Sequence, residues 1–158
     1  FTTEPAQTAK ETANYTELMP DGKARQFSFV MDARSVITRP SAGMKLERKG
    51  FHEITGFAWT GHGKIAKVEV SVDNGKTWAL AELQEPVLSK AHTRFRHQWH
   101  WDGSEAVLMS RAVDETGYVQ PTKADLRKIR GVNSIYHNNG IQTWHLHKNG
   151  EVENVEVS

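Results

Sequence analysis

The segment VEVSVDNGKTW, residues 68–78, determines the fold expected for this chain. Its three valines alternate with polar residues, and this period of two is typical of a β-strand with one buried face. The dipeptide Asn74-Gly75 that follows favours a type I′ turn, because both of its residues tolerate positive φ angles. The segment therefore predicts a β-hairpin, with a return strand over residues 78–83.

Short segments of the same kind recur along the chain, separated by turn residues. They lie at residues 26–30, 35–38, 52–59, 65–72, 93–101, 106–113, 141–146 and 152–157. Residues 122–130 fit one helical turn or a loop, and no long helix is indicated. Many short strands with regular turns predict an all-β, immunoglobulin-like sandwich.

The N-terminal part of the chain has a different composition. Residues 1–25 are rich in Thr, Ala, Glu and Pro and poor in core-forming side chains. Such composition favours a linker or an extended arm over a packed unit. We therefore expect a linker at 1–25, which leads into a folded domain at 26–158.

Composition excludes several classes of function. The 158 residues carry a net charge of +1, which argues against a nucleic-acid-binding surface. No apolar run approaches the ~20 residues of a membrane span, so no membrane insertion is expected. The chain contains no cysteine, which excludes disulfides, thiolate nucleophiles and sulfur-ligated metals.

Three groups of side chains are candidates for function. His145 and His147 share one face of a strand and are two potential metal ligands, although the sequence offers no third one nearby. An aromatic row on one face of residues 93–101 is either core or an interface with a second copy; it contains Phe95, Trp99 and Trp101. Arg130 precedes Gly131 in a segment without a clear strand pattern, where a guanidinium is free to bind an oxyanion.

Long motifs identify a family resemblance over about residues 15–157. The motifs GFAWTGHGKI (56–65), VEVSVDNGKTW (68–78) and SRAVDETGYVQP (110–121) resemble the C-terminal dimerisation domain of the sulfite oxidase family. The segment RGVNSIYHNNGIQTW (130–144) is similar to the SoxC-type branch, the sulfite or sulfane dehydrogenases of sulfur oxidation.

The resemblance implies an enzyme larger than this chain. In the family, an immunoglobulin-like domain follows a catalytic domain that binds molybdenum-molybdopterin through a cysteine thiolate. This chain would then be a cofactor-free dimerisation domain that is not catalytic by itself. The parent would be a periplasmic homodimer that passes electrons to a c-type cytochrome.

The resemblance also assigns candidate roles to two residues. The Arg-Gly-Val segment of the family brings an arginine towards the oxyanion pocket of the catalytic domain, and Arg130 is the matching residue here. His137, in the segment that follows, is the second candidate for that pocket. The alternative is a free-standing immunoglobulin-like interaction module without a redox role.

Overall fold

The computed structural model describes residues 3–4, 6–10, 16–19, 21–26, 30–131 and 137–156. Two antiparallel sheets form a sandwich. In chain order, the elements are β1 (Thr16–Leu18), β2 (Ala24–Gln26), β3 (Arg34–Arg39), β4 (Gly50–Trp59), β5 (Ile65–Ser71), β6 (Ala79–Leu80), β7 (Glu82–Leu83), β8 (Thr93–Trp101), β9 (Ala106–Asp114), α1 (Lys123–Arg130), β10 (Thr143–Leu146) and β11 (Val152–Val155).

Strands β3 to β11 are divided between the two sheets. One sheet has five strands in the order β11-β10-β9-β5-β6, and the other has four in the order β3-β4-β8-β7. Strands β1 and β2 form a separate two-stranded hairpin. This arrangement confirms the all-β class and agrees with the immunoglobulin-like sandwich that the sequence indicates.

The core lies between the two sheets and explains the alternation in the sequence. Ile37, Ile54 and Phe95 point inward from the four-stranded sheet, while Val68 and Leu108 point inward from the other. Each of these five side chains is at most 2% exposed. Their burial supplies the main driving force for folding, since the chain has no disulfide to hold its sheets together.

The hairpin at Asn74-Gly75 is present, but its return strand differs from the expectation. Both turn residues have positive φ, as the sequence predicts. The expected strand over residues 78–83 is split in two, because β6 pairs with β5 in one sheet whereas β7 pairs with β8 in the other. Ala81, between them, is buried where the chain crosses from sheet to sheet.

Two further segments carry more structure than the sequence indicates. Residues 123–130 form a two-turn helix, which begins where the Thr122 hydroxyl accepts a hydrogen bond from the Asp125 amide. Part of the segment expected as a linker forms the β1–β2 hairpin. The expected strand at 26–30 overlaps β2 only at Gln26, and residues 27–29 lie outside the described part of the chain. No helix among the described residues is long and apolar enough to cross a membrane.

Candidate functional site

Asp32, just before β3, is the centre of a partly buried polar cluster. Its carboxylate accepts hydrogen bonds from Arg130 (2.9 Å), from Nε2 of His137 (2.9 Å) and from Nε2 of His62 (3.0 Å). We assign the Nε2–H tautomer to both imidazoles, because an ionised carboxylate only accepts hydrogen bonds. Segments far apart in sequence thus meet at one carboxylate.

Arg130 is held from both sides. It is the last residue of α1, and its guanidinium also donates to Oε2 of Glu17 at 2.9 Å. The arginine side chain is 11% exposed, and that of Glu17 is 5% exposed. Glu17 lies on β1, so the ion pair attaches the N-terminal hairpin to the end of the helix.

Gly131 makes this approach possible. It caps α1 with a φ of 77°, and its amide donates to the carbonyl of Arg127 at 2.9 Å. A Cβ at this position would lie 2.1 Å from the carbonyl oxygen of Leu18. Only glycine lets β1 pack this closely against the helix end, and this contact brings Glu17 within reach of Arg130.

The charges of the cluster shift two pKa values downward. Burial alone would raise the pKa of Asp32, but the hydrogen bond from Arg130 and the positive charge of that guanidinium hold it below its usual value. Burial lowers the pKa of His137, and the charge of Arg130 lowers it further, against the opposing effect of Asp32. We infer that His137 is neutral at pH 7 while Asp32 is ionised.

The arrangement defines what the cluster can do chemically. Arg130 has five N–H donors, and two of them serve the carboxylates of Glu17 and Asp32. Donors therefore remain for an oxyanion, but the positive charge is already compensated twice. An anion would bind more strongly if Glu17 moved away while Asp32 kept the guanidinium oriented.

The structure brings the two candidate pocket residues together. Arg130 and His137 both donate to Oδ2 of Asp32. Sequence reasoning missed Asp32 and Glu17, which no motif marks. Arg130 and His137 were found through the family resemblance, whereas His62, in the Gly-His-Gly turn of the first motif, was not singled out.

The aromatic candidates lie on the side of β8 that faces the core. Phe95 and Trp101 are 2% and 3% exposed and belong to the core, and Trp99 packs against it. The indole of Trp101 donates to the carbonyl of Ser104 at 2.7 Å. An interface formed by this sheet would therefore use the outward residues of β8 rather than these three.

The two candidate metal ligands at β10 do meet. The rings of His145 and His147 lie 4.3 Å apart, and each faces a glutamate, Glu105 at 3.8 Å and Glu153 at 3.0 Å. Among the described residues, no group of three or more His, Cys, Asp or Glu side chains is arranged to hold a metal ion. The pair is accounted for by its ring contact and by the neighbouring glutamates.

Comparison with known proteins extends the sequence resemblance. A family model described as the Mo-co oxidoreductase dimerisation domain matches residues 25–144. The mitochondrial sulfite oxidase of Rattus norvegicus is 36% identical over 110 residues, which cover 63% of this chain and 19% of that protein. The NADH nitrate reductase of Volvox carteri is 28% identical over 119 residues, which cover 68% of this chain and 14% of that protein.

A solved structure agrees over nearly the whole chain. The crystal structure of the sulfane dehydrogenase SoxCD from Paracoccus pantotrophus superposes with a TM-score of 0.94 at 55% sequence identity. The match covers 98% of this chain and 40% of that chain. The present chain thus spans about a fifth of the length of the curated sulfite oxidase and less than half of the solved chain.

Proposed function

The chain belongs to the family of Mo-co oxidoreductase dimerisation domains, and from this membership we propose that it is the self-pairing part of a larger molybdenum-dependent oxidoreductase. The proposed substrate of that enzyme is a reduced sulfur compound, sulfite or a sulfane sulfur. The comparisons do not favour the alternative of a free-standing interaction module.

One observation carries the proposal. The fold agrees at a TM-score of 0.94 with a sulfane dehydrogenase over 98% of this chain, including the N-terminal hairpin region. The matched nitrate reductase acts on a different substrate, so the domain by itself does not set substrate class. The higher identity to the sulfane dehydrogenase, 55% against 28%, is the support for sulfur chemistry.

The cofactor of the proposed enzyme does not fit this chain. Molybdenum in this family is bound through a thiolate, and the sequence has no cysteine. The Asp32 cluster offers carboxylates, imidazoles and a guanidinium, and Asp32, Glu17 and Arg130 already bind one another. We therefore assign the cofactor to a separate catalytic domain and derive no chemical step through it.

We further propose that the Asp32 cluster faces that catalytic domain and walls its substrate pocket. Exposed apolar side chains lie within two residues of cluster members in sequence, and each is 48–55% exposed: Leu18, Val30 and Ile129. Exposed apolar side chains of this kind favour burial against another surface. Arg130 would then supply N–H donors to a sulfur oxyanion, with His137 and Asp32 fixing its position.

The remaining proposals concern the whole enzyme and rest on the family resemblance. We propose a periplasmic location and a c-type cytochrome as electron acceptor. The near-neutral net charge of +1 favours no particular electrostatic partner for this domain.

The function is tested by comparing the full-length enzyme with a version from which this domain is deleted. Native mass spectrometry should show a homodimer for the first and a molybdenum-loaded monomer for the second. A deletion variant that remains a dimer would refute the pairing role. A deletion variant that has lost its molybdenum through misfolding is recognised by circular dichroism, and the oligomeric state of the present chain alone then decides.

A further inference from the structure

The outer face of the four-stranded sheet is unusually aromatic for a surface. The outward side chains of its central strand β4 are, in order, Phe51, Glu53, Thr55, Phe57 and Trp59. Phe51 is 83% exposed, the highest value among the large hydrophobic side chains of the described residues. A face of this kind on a soluble domain marks an interaction surface.

The cations of this face are arginines. The four strands of the sheet contain four arginines and no lysine. Arg94 lies over the ring of Phe57 at 5.6 Å, and Arg34 lies over that of Trp59 at 5.8 Å. Aromatic residues and arginine are enriched, and lysine depleted, in protein interfaces.

Among the charges of this face that lack an ion-pair partner within the described part of the chain, Arg94 and Glu53 line its central groove. Arg96 is paired with Glu82 at 2.6 Å, but no acidic group lies within ion-pair distance of Arg94, and no basic group lies that close to Glu53. Arg94 is opposite Phe57 in the register, and Glu53 is opposite Gln98. They are thus four residues apart along the strands, roughly 13 Å.

The outer face of the five-stranded sheet differs in this respect. The charges of its strand β5 are paired within the chain, since Glu69 accepts from both Lys67 (3.0 Å) and Arg111 (2.7 Å). Arg111 also lies 4.2 Å over the ring of Trp78. This sheet therefore offers fewer unsatisfied groups to a partner.

We propose that the outer face of β3, β4 and β8 binds the same face of a second copy about a two-fold axis that lies between the two sheets, perpendicular to the strands, and passes midway between the two copies of Thr55. This inference rests on the proposed function and names its surface. The axis places residue 53 of one copy opposite residue 57 of the other, and residue 51 opposite residue 59. Glu53 of each copy then reaches Arg94 of the other, which lies beside Phe57, and the partner's Phe51 packs against Trp59.

The space beside Trp59 suits this contact. A surface hollow of about 470 Å³ is lined by Trp59, His92, Met31 and Val30, among others. A central groove of about 560 Å³ on the same sheet is lined by Thr55, Phe57 and Arg94, and the pairing closes it. An aromatic anchor in a hollow, surrounded by charge pairs, is the usual composition of an interface centre.

Sedimentation equilibrium on the intact chain tests the surface. Phe51→Ser should raise the dimer dissociation constant about 30-fold, the effect of a typical interface anchor. Leu80→Ser is the matched control, because Leu80 is also exposed (67%) but lies in the other sheet, and it should leave the constant unchanged. At protein concentrations below the dimer dissociation constant, both variants should keep the unfolding midpoint of the wild type, because the side chains removed are exposed in the monomer.

Charge exchange tests the register. Glu53→Arg should weaken pairing by placing two arginines together, and the double variant Glu53→Arg/Arg94→Glu should restore it. The chain has no cysteine, so a nitroxide label on Thr55→Cys is attached at that position alone, and the distance between the two labels of a dimer can be measured. The two labelled backbones should be roughly 10 Å apart, against more than roughly 30 Å for the control Lys67→Cys on the opposite sheet.

The outcomes separate this inference from the function on which it rests. Three results together support the surface. Phe51→Ser and Glu53→Arg weaken dimerisation, the double variant restores it, and the distance between the two labels at position 55 is short. A dimer that is unaffected by these changes overturns the surface but leaves self-pairing intact. A wild-type chain that stays monomeric at every concentration overturns both.

Discussion

The carbonyl oxygen of Leu18 lies against Gly131 so closely that a Cβ there would be 2.1 Å away. Gly131→Ala must therefore displace β1 or distort the end of α1, and its φ of 77° adds backbone strain. We expect a loss of at least about 3 kcal/mol in the free energy of unfolding. Urea unfolding followed by tryptophan fluorescence measures it.

Gly117→Ala is the matched control for that substitution. Gly117 has a similar φ of 86°, but a Cβ added there would meet no atom within 4 Å. It should cost only the backbone strain, about 1 kcal/mol. Equal losses for the two glycines would show that the contact with Leu18 does not matter.

Asp32→Asn should destabilise the chain because it removes the charge that Arg130 and two histidines share. We expect a loss of about 2 kcal/mol, as for a mostly buried ion pair broken on one side. Asp125→Asn breaks an exposed pair with Lys128 and should have little effect. Urea midpoints for the two variants decide the matter; a harmless Asp32→Asn would contradict the central role of this carboxylate.

Stability should fall as the pH decreases through the range just below 6.5. The pKa of His137 is lowered in the folded state, so the unfolded chain takes up a proton first and is favoured. The ionised Asp32 acts at lower pH, since its lowered pKa contributes stability that is lost only as the pH falls below about 4.

The variant His137→Gln isolates the histidine contribution. Gln keeps a donor for Asp32 but does not titrate, so the slope of unfolding free energy between pH 7 and pH 5 should decrease. Urea titrations at four pH values measure that slope. An unchanged slope would assign the effect to other histidines.

Gln120 should matter for stability rather than for chemistry. It is 2% exposed, and its Oε1 accepts from the amides of Ser35 (2.8 Å) and Ala112 (3.1 Å), which lie in different sheets. Gln120→Leu leaves these buried donors unsatisfied and should cost about 2–3 kcal/mol in the free energy of unfolding. Gln142→Leu, at a half-buried position, serves as the comparison, and a similar small loss in both would disprove the bridging role.

Arg130→Ala in the full-length enzyme should raise KM for the sulfur oxyanion and lower kcat/KM roughly 10- to 100-fold, as for a lost charged hydrogen bond. Arg130→Lys keeps the charge but loses the planar fork and should recover part of that loss. Steady-state kinetics at matched molybdenum content make the comparison. An unchanged kcat/KM would remove Arg130 from the substrate pocket.

The sandwich could be predicted because several of its strands alternate between inward apolar and outward polar side chains. In β4 and β8 the inward positions follow a period of two, and the structure buries Ile54, Ala58 and Phe95 as that period requires. The prediction of one return strand at 78–83 was wrong because the spacing of its apolar residues does not alternate there, and no local signal marks the crossing between sheets at Ala81.

The polar cluster could be predicted only in part. A motif identified Arg130, but its partners come from the other end of the chain, and Asp32 and His137 are 105 residues apart. Contacts over such distances leave no periodic trace in one sequence. The hairpin that contributes Glu17 is only three residues per strand, too short for a pattern to emerge from a polar segment.

Sedimentation equilibrium of the purified chain, with molybdenum and pterin analysis of the same sample, tests the central claim most directly. We predict a metal-free and pterin-free dimer of the 17.8 kDa chain. A monomer at every concentration would contradict its role as a self-pairing domain. Stoichiometric molybdenum would contradict the assignment of the redox centre to a separate domain.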